Sequence, residues 1–200
     1  MKDKIINAAK KLFLTKGYEK TTMRDIVKSA ETSIGNCYFY YKNKEAILKE
    51  IVISEIDEFE KVLEKTIEPI TDVSKKIAIA MYTDIMSRLD ESNFDCHFKL
   101  FIISLQLPSI RTYIFDTIKK YFEKLVPIDL IKQDEIQLVL TTYLSSSFFI
   151  TESYFKKEIP LSPHKIALFI TKWNLKAFGM HHKDVEESIK YLNELNKAEI

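Results

Sequence analysis

The sequence predicts an all-α protein: an N-terminal head of three helices containing a helix-turn-helix, joined by a long helix to a larger helical body. Three observations carry this expectation. Three Gly and five Pro in 200 residues are too few turn formers for a sheet-rich fold. Apolar residues recur at helical spacing along most of the chain. Cap-forming residues stand just ahead of those periodic stretches.

Residues 3–16 place Ile6, Ala9, Leu12 and Phe13 on one side and Lys4, Lys10 and Lys11 on the other, with Gly17 as a stop. Thr22 caps a second helix, and Asp25 three residues later approximates a capping box. After the break at Ala30-Glu31-Thr32, Ser33 caps a third helix to about Tyr41, and Asn43 caps the next. From Lys44 the apolar positions Leu48, Ile51, Val52, Ile56, Phe59 and Leu63 predict a helix of about six turns. Pro69 and Asp72 precede a helix over Val73–Leu89. Ser92 or Asn93 begins another, carrying Phe94, Phe98, Phe101 and Leu105. Pro108 interrupts, and Ile110, Tyr113, Ile114, Ile118 and Phe122 mark the following helix.

Residues 134–156 and 163–178 are apolar nearly all round. Helices of that kind need burial on more than one side, so one side is expected to meet a second copy of the chain. A final amphipathic helix spans Val185–Leu195. The expected division is a helix-turn-helix domain at 1–47 and a helical dimerisation domain at 48–200.

Charge follows the same division. Residues 1–50 carry eleven Lys or Arg against six Asp or Glu, whereas the rest of the chain is net acidic, although the total is only +1. A basic head on a body of opposite sign suits a polyanion-binding module. There is no signal-peptide core and no apolar run able to span a bilayer, so a cytoplasmic protein without a membrane partner is expected.

The third helix has the chemistry of a recognition helix. Gly35 removes a side chain that would hold it away from base edges, and Asn36 carries the donor and acceptor pair suited to adenine. Tyr40 and Lys44 can bind phosphates, which fix register without reading sequence. Of the run Tyr38-Phe39-Tyr40-Tyr41, Tyr41 is expected to pack inward and the others to face backbone or groove.

Gly17-Tyr18, Thr21 through Ile26, Ser33 through Asn36, and Tyr38 through Glu45 together resemble, in register, the head of the TetR family of bacterial transcriptional regulators. The resemblance covers residues 1–50. It implies a homodimer whose paired heads read a roughly palindromic double-stranded operator, with a small molecule in the body altering their spacing. A repressor is the expected sign; an activator, or a helical protein-interaction module with a structural head, is the alternative. The family pattern places Thr22 at a phosphate, Ser33, Gly35, Asn36 and Tyr38 on the exposed side of the recognition helix, and Tyr40 and Lys44 at phosphates. Two residues depart from it. Ile34 stands where Lys is frequent, and can offer a thymine methyl an apolar contact. Glu31 occupies a turn position where Gly is usual.

In the body, large aromatics with a few polar groups suit a mostly apolar effector cavity. Phe98, Phe101, Tyr113 and Trp173 are the candidate lining residues. Cys37 is expected to face inward as a small hydrophobe. Cys96-His97 and His181-His182 lack regular metal spacing, and no phosphate loop, nucleophile elbow or zinc motif occurs. No catalytic residue, metal or cofactor is therefore expected.

Overall fold

In a computed structural model of the chain the described residues are 1–90, 99–125 and 135–198. Among them the fold is all-α, as the sequence predicts. The helices are α1 (Lys2–Thr15), α2 (Met23–Ser29), α3 (Ile34–Tyr40), α4 (Lys44–Ile67) and α5 (Val73–Leu89). They continue with α6 (Lys99–Gln106), α7 (Pro108–Leu125), α8 (Ile136–Phe155), α9 (Pro163–Ala177) and α10 (His182–Ala198).

Local chemistry sets most of these ends. Thr22, Ser33, Asp72 and Ser162 each cap a helix by accepting a backbone N–H. Gly17 (φ 90°) and Gly179 (φ 80°) end α1 and α9 in the left-handed conformation that glycine adopts without a steric penalty. Pro108, expected as an interruption, is the first residue of α7, where its missing N–H costs nothing. α10 begins at His182, ahead of the expected Val185, because its polar first turn carries no apolar period to betray it.

The chain packs as two compact units. The first comprises Met1–Glu60 with α6 and the start of α7 up to Ile114. α1 packs on α2 and α6, and α2 on α3, around Ile5, Phe13, Ile26, Cys37, Ile47, Leu48, Leu100 and Ile110. Two contacts tie α7 to α4 here: Ser109 donates to the Glu45 carboxylate, and the Lys49 ammonium lies 5.1 Å from the centre of the Tyr113 ring. This packing partition differs from the functional division expected at residue 47, since it groups α6 with the head.

The second unit takes Lys61–Asp90 and the described chain from Phe115 onward. α5 lies against α8, α9 and α10 and buries Ile77, Ala78, Ile79, Met81, Ile85 and Leu89. Several polar residues of this interior are hydrogen-bonded, whereas the buried hydroxyls of Thr171 and Ser188 have no partner among the described residues. Ser147 and Thr151 donate to the carbonyl oxygens of Tyr143 and Ser147 one turn earlier. Asp84 accepts from the Tyr143 hydroxyl at 2.6 Å and from Arg88 Nε at 3.0 Å. Burial, reinforced by that carboxylate, pushes the Tyr143 phenol well above its ordinary pKa.

α8 and α9 also leave apolar groups outside. Leu138, Phe149, Phe169 and Trp173 are exposed, Phe169 by 63% and Trp173 by 64%. Ser146, Ile150, Phe169, Ile170, Trp173 and Asn174 line a shallow, mostly apolar groove between these two helices. No described helix is long and apolar enough to cross a membrane.

Candidate nucleic-acid interface

α2 and α3 are seven residues each, too short to persist without caps and packing. Thr22 and Asp25 form a complete capping box. Thr22 Oγ1 accepts from the Asp25 N–H at 3.2 Å, and the Thr22 N–H donates to Asp25 Oδ2 at 2.8 Å. The Thr22 hydroxyl also donates to Asp25 Oδ2 at 2.7 Å, so a phosphate must turn that proton away from Asp25 to receive it. Lys16 Nζ reaches the same oxygen at 2.6 Å and ties the end of α1 to the start of α2. Lys16 and then Thr22 hold the Asp25 carboxyl well below the usual carboxylate range.

The turn between α2 and α3 bears out the tension at its unusual residue. Glu31 takes φ 50°, the left-handed conformation that Gly adopts freely and that costs another residue about 1–2 kcal/mol. Ser33 then caps α3 by accepting the Asn36 N–H at 3.1 Å.

α3 buries Cys37, and Tyr41, which follows its last residue, is also buried; burial raises the pKa of the Cys37 thiol. Its other face carries Ile34, Gly35, Tyr38, Phe39 and Tyr40, all exposed, with Phe39 reaching 80%. Phe39 and Tyr40 meet edge to face, ring centres 5.1 Å apart. A Cβ added at Gly35 would meet nothing within 4 Å, and no positive φ is recorded there. The head itself therefore has no use for glycine at this position.

Asn36 is half-buried rather than fully presented. Its Nδ2 donates to Thr32 Oγ1 at 3.0 Å. Nothing in the residue types foretold this bond, although the four-residue spacing allows it.

Lys44 also turns inward. Its ammonium donates to the carbonyl oxygens of Tyr18 at 2.7 Å and Glu19 at 3.2 Å, and lies 4.3 Å from the centre of the Tyr18 ring. Burial, then Glu45 and Glu19, pushes the Tyr18 phenol up to about 12. Asn43 accepts the Ala46 N–H at 2.8 Å and starts α4. Lys20, Arg24, Lys28 and Lys42 are exposed cations of the same head to which the sequence reading gave no contact role.

Three of the four candidate effector residues lie among the described residues. Phe101 and Tyr113 belong to the first unit, and Trp173 to the second, on the exposed face of α9. Phe98, with Cys96 and His97, lies outside the described residues.

The model for "Bacterial regulatory proteins, tetR family" matches residues 5–51, the stretch built above. The chain is 48% identical over 52 residues to the HTH-type transcriptional regulator QacR of Staphylococcus aureus, a match covering 26% of this chain and only 28% of that protein. It is 31% identical over 166 residues to IcaR of Staphylococcus epidermidis, an HTH-type negative transcriptional regulator of the biofilm operon icaADBC. That match covers 74% of this chain and 85% of IcaR. Among solved structures, FadR of Bacillus subtilis in complex with stearoyl-CoA is similar in fold, with a TM-score of 0.63 at 16% identity. The likeness covers 90% of this chain and all of that one. With a relative of this identity matched over most of its length, the chain belongs to the TetR family and is a helix-turn-helix transcriptional regulator.

Proposed function

We propose that the protein is a homodimeric repressor whose α3 helices enter successive major grooves of a roughly palindromic operator. The observation that carries this is Gly35. A glycine in a helix is less favourable than Ala, by up to about 1 kcal/mol in the interior, and Gly35 stands in the first turn of α3. Here neither backbone conformation nor crowding requires one. The requirement is then external, and it lies on a face of exposed Ile34, Tyr38 and Phe39 with cations nearby.

In this reading Ile34, Gly35, Asn36, Tyr38 and Phe39 meet base edges or approach them closely. Thr22, Ser33 and Tyr40 meet phosphates, aided by Arg24, Lys28 and Lys42. Residues 1–47 read DNA, and residues 48–200 carry dimerisation and effector binding. The exposed Phe149, Phe169 and Trp173 support a dimer face on α8 and α9, because exposed apolar patches of this kind mark interfaces. Repression is the sign of IcaR, a negative transcriptional regulator. Release by a small, mostly apolar effector is supported by the aromatic content of the body.

The test is selection from a pool of random duplexes with purified protein. Enrichment of a two-fold symmetric sequence, with half-sites about one helical turn or a multiple of it apart, is the expected outcome. No enrichment even at low salt overturns the reading.

A further inference from the structure

We infer that α3 reads thymine through its 5-methyl group, and that Ile34 and Phe39 are the side chains that do so. The inference rests on the DNA-binding reading above and names the base edge that this helix prefers.

α3 lacks the side chains that most often read bases. Ile34–Tyr40 contains no Lys, Arg, Asp, Glu or Gln. The bidentate contact of Arg or Lys with guanine, the commonest specific contact in the major groove, therefore cannot come from this helix. What α3 presents instead is hydrocarbon. Ile34 is 45% exposed and Phe39 80% exposed. Packing of the helix on the head falls to the buried Cys37, with Tyr41 just beyond it, so the outward parts of Ile34 and Phe39 are not used there.

Apolar area of this kind gains free energy when a partner removes it from water. The surroundings fix the partner. Arg24, Lys28 and Lys42 are exposed cations of the same head, so the surface that covers α3 carries negative charge. In the major groove of a duplex, the apolar group on a base edge is the 5-methyl of thymine.

Helical register sets the spacing. Residues four apart are neighbours, so Ile34 lies beside Tyr38, and Gly35 beside Phe39. Gly35 adds no side chain between the two apolar groups and lets both come close to the groove. Ile34 and Phe39 stand about 7.5 Å apart along the helix axis, more than the roughly 3.4 Å between base pairs. They therefore meet methyls on different base pairs, two in each half-site. Removing one methyl should weaken binding about fourfold, the effect of returning one such group to water.

The test uses the operator selected by the wild-type protein. Each thymine is replaced in turn by deoxyuridine, which removes the methyl and keeps every hydrogen-bonding group of the base. Affinities are measured at one salt concentration for wild type, Ile34→Ala and Phe39→Ala, with thermal unfolding of each protein. Wild type should lose about fourfold at two thymines per half-site. Ile34→Ala should abolish that loss at one of them and Phe39→Ala at the other, with unfolding midpoints close to wild type. A side chain that acts through the fold, or through the sugar-phosphate backbone, would weaken binding yet leave the response to the methyl intact.

If the operator has no thymine in its half-sites, or if no replacement weakens wild-type binding, the methyl readout is overturned. If the response to deoxyuridine persists in both variants, the assignment to Ile34 and Phe39 is overturned. Failure of the wild-type protein to select any duplex is a separate result, which overturns the DNA-binding reading beneath the inference.

Discussion

Lys44 Nζ lies 2.7 Å from the carbonyl oxygen of Tyr18 and 4.3 Å from the centre of the same residue's ring. The first residue of α4 is thereby fastened to the loop that follows α1. Two of its three donors are used on Tyr18 and Glu19. Lys44→Ala should therefore destabilise the head by about 1.5–3 kcal/mol, the range for hydrogen bonds to charged groups. A full phosphate contact would add about 0.9 to the salt slope of binding. Because the ammonium is engaged within the protein, the slope should fall by much less. Chemical denaturation and a salt titration on one operator measure the two effects separately.

Glu31→Gly should stabilise the head by about 0.5–1 kcal/mol, the relief of a left-handed residue less the entropy that glycine loses on folding. It should also strengthen binding to unrelated duplexes, because a carboxylate leaves the neighbourhood of α3. A raised denaturation midpoint together with tighter non-specific binding is the expected pair of results.

Asp25 gives the head a defined acid sensitivity. Its carboxyl is held low in the folded chain by Lys16 and Thr22. The associated stability is therefore complete above the unfolded value, about 3.9, and is lost as pH falls below it towards the folded value. Asp25→Asn should show a flatter fall in stability below about pH 4 than wild type. Thermal unfolding across an acid series reads this directly.

Phe169 and Trp173 are more than 60% exposed. Replacing either with Glu should change the stability of the isolated fold by only about 0.5 kcal/mol. If their face is the dimer contact, the same changes should convert the protein to monomer in sedimentation and weaken operator binding severely. Unaltered dimers would move the interface elsewhere.

Much of this was legible in the residues, because the signals are local. Thr22, Ser33, Asn43 and Asp72 announce helix starts through side chains that can accept a backbone N–H, and Gly17 announces an end through backbone freedom alone. Cys37 and Tyr41 could be assigned inward from helical register. Tertiary partners were harder to read. The engagement of Lys44 within the head was not readable, because a lysine at a helix start does not reveal that carbonyl oxygens twenty-five residues earlier lie within its reach. The division of Tyr113 and Trp173 between two packing units was not readable, because an aromatic's size says nothing about which unit it joins. The Thr32–Asn36 bond needed the turn geometry around Glu31, which the sequence shows only as a departure from the usual Gly.

The central claim is that α3 is shaped for close approach to DNA rather than for its own stability, and Gly35 separates the two. With open space around its added Cβ, Gly35→Ala should stabilise the head by about 0.5–1 kcal/mol. The most direct measurement is the affinity of this variant for the selected operator, taken beside its unfolding midpoint. The account predicts a more stable protein that binds its operator at least about tenfold more weakly, the loss of about one specific base contact. A variant that is more stable and binds as tightly as wild type would contradict it.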